Sequence, residues 1–264
     1  MSASAGVTID SAQLKIDRAE EHITDLNKLF CEKPPFSYIL ETNTKTGERA
    51  TFAKKNEPVI AAGALICGDA IHNLRSALDH AYWKIVFPVA KGEGGAAKVQ
   101  FPFSETAARL NEAIKRNLAH KVSPAFLQAL EYLKPHGEMG GNELLYLLHR
   151  LDIIDKHRLL IPTGDYTRLT SDMLRSQIPE FPNIFLDITL FQTHRHLVWN
   201  GYPMLRNQRR KLNIPLSGIL EQELKVPVDI VFSDNLNGHY RPVVETLYQL
   251  VDVTKKTIDI MRSV

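Results

Sequence analysis

The sequence predicts an α+β protein: a bundle of about five or six helices with an N-terminal hairpin and a small inserted antiparallel sheet. Three observations carry this. Apolar residues recur at helical spacing through most of the first 158 residues. Between residues 159 and 236 the period shortens, and short β-branched runs alternate with Pro, Gly and Asn. From Tyr240 the helical period returns and closes the chain.

The elements follow in order. Ile9, Ile16, Ile23, Leu26 and Phe30 recur among Lys, Asp, Arg and Glu, so residues 9–31 read as an amphipathic helix stopped before Pro34-Pro35. Two extended runs within 36–54 flank Asn43-Thr44-Lys45-Thr46-Gly47, a hairpin signal with Gly available for a positive φ. A long helix is expected from about Pro58 to Val86, with Pro58 tolerated in its first turn. Phe87 to Phe103 reads as a connector, with Pro88 and the Gly92–Gly95 cluster. Ser104 can cap a helix to about Leu118, and Ser123-Pro124 opens another that ends at Pro135 and Gly137. Asn142 can cap a helix to about Arg158.

Short strands are expected at Leu159–Ile161, Asn183–Leu190, Arg195–Trp199 and Val226–Phe232. The last helix presents Leu247, Leu250, Val251, Thr254, Ile258 and Met261 inward. Residues 1–264 are expected to form a single domain: a bundle of 8–158 and 239–263, interrupted by the hairpin 36–54 and the β-rich insertion 159–236.

Composition narrows the function classes. A net charge of +2 over 264 residues sets up no global field for nucleic acid or membrane, so any anion site must be local. Cys31 and Cys67 lack metal or disulfide spacing and fit a reducing cytoplasmic setting. Met1–Ser11 has no signal-peptide pattern, and no apolar run reaches the roughly 20 residues of a membrane span. A cytoplasmic protein without membrane contact is therefore expected.

The richest stretch runs from Gly68 to His80. On a helical wheel Cys67, Ile71, Leu74, Leu78, Ala81 and Ile85 form an apolar stripe, and Asp69, His72, Asn73, Ser76 and His80 gather opposite. An ordinary solvated face would carry Lys, Glu and Gln; this one is short, polar and rich in imidazole. A second constellation lies on the Asn142 helix, where His149, Asp152 and Lys156 share a face and Asp155, His157 and Arg158 follow. Two such helices in one bundle are expected to lie side by side, gathering His72, His80, Asp152, Asp155 and His157.

Metal-free phosphodiester cleavage needs a proton acceptor, a proton donor and a cation for the phosphoryl oxygens. Imidazole serves as acid or base near neutral pH, and guanidinium grips phosphate. In RNA the 2′-hydroxyl is a built-in nucleophile. Arg75 and His80 would form a minimal catalytic pair, with Asp69 or Asp79 orienting an imidazole. His72, Asn73, Ser76, Asp152, Asp155, Lys156 and His157 would support them.

Arg75-Ser-Ala-Leu-Asp-His80 resembles the R-x4–6-H motif of the HEPN superfamily, helical-bundle proteins many of which are metal-independent endoribonucleases. Arg150 to His157 fits the same expression. The resemblance implies Arg75 and His80 as catalytic positions, a 2′,3′-cyclic phosphate product, no cofactor, RNA as a partner, a homodimer, and a toxin or phage-defence setting. The chain also resembles a family of bacterial and phage-related proteins at Asn73–His80 and Asp155–Arg158, a likeness that brings no function with it.

Rival readings stay open. The polar faces of a non-catalytic module would bind a nucleotide or partner, or knit helices together. Alternatively, Asp69-x-x-His72 and Asp152-x-x-Asp155 place potential ligands one turn apart, as bundle metal sites do. Trp83, one turn after His80, reads as packing before a wall of the site, and Arg206, Arg209, Arg210 and Lys211 as solvated loop charge before an RNA-backbone contact; His194 and His196 read as surface residues.

Overall fold

A computed structural model describes residues 10–43, 49–90, 99–157, 164–177, 187–191, 219–225, 228–232 and 241–264. Its helices are α1 (Ser11–Glu32), α2 (Glu57–Ala90), α3 (Ala107–Arg116), α4 (Pro124–Leu133), α5 (Glu143–His157), α6 (Ser171–Gln177) and α7 (Val243–Arg262). The strands are β1 (Phe36–Asn43), β2 (Arg49–Lys55), β3 (Gly164–Thr170), β4 (Asp187–Phe191), β5 (Ile219–Leu224) and β6 (Asp229–Val231). The expected mainly helical α+β class is what is observed.

Two compact units emerge. The helical unit comprises Met1–Asn27, Ala64–Leu160 and Val244–Val264. Its core is built from the predicted stripes: Ile16, Ile23 and Leu26 of α1, Ile71, Leu74 and Leu78 of α2, and Leu247 and Leu250 of α7 are all buried. Each such side chain contributes about 1.5–3 kcal/mol through removal from water. Tyr82 joins α2 to α4 and to the 101–103 segment. Its ring meets Phe101 edge-on at 6.0 Å and Phe126 at 5.8 Å, and its hydroxyl donates to the Asn117 carbonyl at 2.8 Å. α1 and α7 run antiparallel, tied at the surface by Lys255–Glu20 (2.7 Å) and Arg262–Asp10 (2.8 Å).

Side-chain caps explain where α3, α4 and α5 start. Ser123 Oγ accepts from Phe126 N at 3.0 Å and Asn142 Oδ1 from Leu145 N at 3.1 Å, as the sequence predicts. The cap of α3 is Thr106, not Ser104, whose hydroxyl instead donates to the Thr106 carbonyl at 2.8 Å. α2 continues through Pro88 rather than ending at Val86. The proline lies in the last turn, where the Lys84 carbonyl it leaves unpaired belongs to an exposed residue and can bond water.

The second unit comprises Lys28–Gly63 and Ile161–Val243. β1 pairs antiparallel with β2 (Phe36 opposite Lys55) and with β5 (Tyr38 opposite Leu224), so the hairpin and the later segment share a sheet. β3 pairs with β4 and β6 in a second three-stranded sheet. The Gln177 amide clasps Lys225, accepting from its N–H at 2.6 Å and donating to its carbonyl at 2.9 Å. A cavity of about 300 Å³ opens beside β1, lined by Phe30, Pro35, Phe36, Tyr38 and Leu224, with Glu223 and Lys225 as its charged members.

Only strands are expected between residues 159 and 236, yet the short helix α6 forms there, and two of the strands differ from the expectation. β3 and β5 carry no strand signal of their own: ILEQEL has three polar residues that suit a strand with a wet face but make no short apolar run. The expected strands Leu159–Ile161 and Arg195–Trp199 lie outside the described residues, as do Thr44–Gly47, Gly92–Gly95, His194, His196 and the Arg206–Lys211 run.

Candidate functional site

α2 and α5 pack antiparallel through three polar layers. In the first, the Asp155 carboxylate lies against Gly68, where a Cβ would collide with it. Absence of a side chain at Gly68 is what lets the two helices approach here. In the second, His72 Nδ1 lies 3.1 Å from Asp152 Oδ1, and Lys156 Nζ lies 2.5 Å from the other carboxylate oxygen. In the third, the His149 ring stacks parallel on Phe103 at 4.5 Å, while the Arg75 guanidinium sits 4.8 Å over the same Phe103 ring.

The second layer faces outward. Asp152 is 2% exposed and the His72 side chain 54% exposed. The carboxylate can only accept, so Nδ1 carries the proton and Nε2 presents a lone pair on the open side. Ser76 Oγ sits 3.5 Å from that Nε2. Lys15 of α1 donates to Asn73 Oδ1 at 3.1 Å, and Asn73 Nδ2 donates to the Asp69 carbonyl at 2.8 Å. An exposed imidazole, oriented by a buried carboxylate, thus has one ammonium on its carboxylate and another beside the next residue. The Ser–His–Asp order matches that of a nucleophilic triad. It lacks the second half of acyl-transfer chemistry, because the N–H groups around Ser76 lie inside α2 and are spent on carbonyls four residues back.

The third layer is closed. Arg75 is 5% exposed, pairs with Asp79 at 2.5 Å, and lies 3.5 Å from the Phe101 carbonyl. Asp79 Oδ1 also accepts from Phe101 N at 2.8 Å, so this pair pins the 101–103 segment to α2. Burial, and then the Arg75 charge, push the His149 pKa down to about 4, and its Nδ1 is buried without a hydrogen-bond partner among the described residues. This imidazole stays neutral as a packing element.

The expected catalytic pair is therefore separated. Arg75 and His80 lie five residues apart, about 140° around the helix. One faces the interior and the other is exposed. Of the supporting residues, His72, Ser76, Asp152 and Lys156 meet, Asn73 is tied to Lys15, Asp155 is set on Gly68, and Asp79 serves Arg75. Asp69 and His157 are exposed. His80 lies roughly 12 Å along the helix from His72, so the five-residue cluster expected from the sequence does not form. Lys15 carries no signal in the sequence, because only the packing of α1 on α2 brings it there.

Among the described residues, no group of three or more His, Cys, Asp or Glu converges closely enough to hold a metal ion. The chain matches no family model, and no curated protein or solved structure is significantly similar to it.

Proposed function

We propose that the exposed α2–α5 layer is a general acid–base site and that the chain is a metal-independent endoribonuclease in which His72 moves the proton. The observation that carries this reading is the 3.1 Å contact between the exposed His72 imidazole and the buried Asp152 carboxylate. His72 Nε2 takes the proton of an RNA 2′-hydroxyl, and the 2′-oxygen forms a bond to phosphorus as the bond to the 5′-oxygen breaks. The departing oxygen takes a proton from water, and His72 returns its own to solvent. The products are a 2′,3′-cyclic phosphate and a 5′-hydroxyl. Lys156 and Lys15 supply positive charge near the phosphoryl oxygens. The substrate brings its own nucleophile, so the missing backbone oxyanion hole is no obstacle.

This reading keeps the HEPN-type chemistry and changes the residues. Arg75 and Asp79 of the R-x4-H segment act as a fastening for Phe101, and His80 lies outside the reacting group. A cytoplasmic setting and a homodimer belong to the same proposal. No described helix is long and apolar enough to cross a membrane.

Cleavage of a mixed RNA pool in chelator tests it, with cyclic phosphate ends as readout. His72→Gln should lower the rate at least about 100-fold, the scale of a lost general base, and His80→Ala should leave it within twofold. The opposite ranking would restore Arg75–His80 as the catalytic pair. A second reading, a non-catalytic nucleotide- or partner-binding module, is favoured by the closed Arg75 layer. It would be adopted if no RNA in the pool is cut.

A further inference from the structure

Asp69, His72, Ser76, His80, Trp83 and Phe87 lie within about 40° of Ser76 around the α2 axis, forming one stripe along the helix. All six are exposed or half-buried. At its far end the Trp83 and Phe87 rings pair at 5.2 Å with a 58° tilt, and Phe87 is 45% exposed. Lys84 stands exposed between them. The Trp83 position lies roughly 16 Å along the helix from His72. This aromatic pair, with Phe87 exposed and Trp83 half-buried, stands in line with an oriented imidazole on the face of α2 away from the helical core.

We infer that Trp83 and Phe87 form a base-stacking subsite for an unpaired RNA strand whose scissile phosphate lies at His72, which rests on the acid–base reading above. Exposed aromatic rings hold bases by their faces without regard to sequence, and adjacent cations follow the backbone. Lys84 beside the rings and Lys15 beside Asn73 give the strand a cation near each end, while Asp69 marks the end of the stripe where phosphate is unwelcome. A few nucleotides of extended strand span the distance between subsite and imidazole. A duplex, with its bases stacked on one another, has no free face to offer and is excluded.

The test is binding of a 2′-O-methyl single-stranded RNA, which cannot be cleaved, to the full chain by fluorescence anisotropy. The duplex of the same sequence is measured beside it. Substituting Trp199 by Phe leaves Trp83 as the sole tryptophan. Its emission should be quenched by the single strand. Trp83→Leu with Phe87→Ala should weaken single-strand binding about 10-fold, and Trp83→Tyr should restore most of it. In cleavage, the double variant should raise KM and leave kcat within twofold. Equal binding by wild type and double variant would overturn the subsite, as would duplex bound as tightly as single strand. A wild-type dimer that the double variant dissociates would also overturn it, assigning the rings to a protein interface. Because the probe is uncleavable, unchanged binding sinks the subsite alone, whereas failure of His72→Gln to affect cleavage sinks the acid–base reading and the placing of the scissile phosphate at His72.

Discussion

The Arg75 guanidinium meets the Asp79 carboxylate at 2.5 Å, one helical turn further along α2, and the same carboxylate takes the Phe101 N–H at 2.8 Å. With Phe103 beneath the guanidinium, these two charges hold a non-helical segment against the longest of the described helices. A motif that looks catalytic on paper is thereby used as a clamp.

Removing one member of that clamp leaves the other charge poorly paired. Arg75→Leu should destabilise the protein by about 3 kcal/mol. Arg75→Lys should recover little, because an ammonium reproduces neither the fork nor the stacking on Phe103. His80→Ala should change stability by less than about 0.5 kcal/mol. Urea denaturation of the three variants checks the ranking, and equal effects at Arg75 and His80 would contradict it.

The Gly68–Asp155 approach predicts a second effect. Gly68→Ala puts a methyl group where the carboxylate lies and should cost about 1–3 kcal/mol, as overpacking does. Trimming the obstacle in a Gly68→Ala, Asp155→Ala double variant should return part of that loss. A double variant no better than the single would show that Asp155 is not the group displaced.

His149 gives stability a pH dependence. Its folded pKa lies near 4, held down first by burial and then by Arg75, against an unfolded value of about 6.5. The unfolded chain therefore binds more protons between these values, and the contribution of this group is complete above pH 6.5 and lost as pH falls toward 4. The loss amounts to about 3 kcal/mol. Unfolding free energies at pH 7 and 4.5 should converge in His149→Gln by comparison with the wild-type chain.

Asp152 is a positioning residue for His72. Asp152→Asn keeps the shape but removes the acceptor-only carboxylate that fixes the tautomer of His72, so the cleavage rate should fall at least about 100-fold. KM should stay within about twofold, because Asp152 acts through His72 and not on the substrate. A merely structural role would lower activity only in step with stability, which urea denaturation of the same variant checks.

Much of the helical architecture can be read from residue order. The stripes of α1, α2 and α7 bury where their spacing says, because burial on a helix repeats with its turn. Ser123 and Asn142 cap because their short polar side chains reach backbone donors only a few residues away. The polar face of α2 was legible for the same reason: Asp69, His72, Asn73, Ser76 and His80 are all exposed or half-buried. Local periodicity failed for β5, whose partner β1 lies about 180 residues earlier in the chain and supplies through the pairing what the run itself lacks.

By itself, then, the sequence determined which residues form the helices of the bundle and which face of each is wet, since both depend on groups within a turn or two; the short α6 it did not foretell. Only the tertiary structure decided which polar groups meet. Arg75 sits near the edge of its stripe, and the arrival of Phe101 and Phe103 turns it inward. His72 gains its carboxylate from a residue 80 positions away. Contacts of that kind are set by how helices cross, and a helix's own residue spacing carries no record of what crosses it.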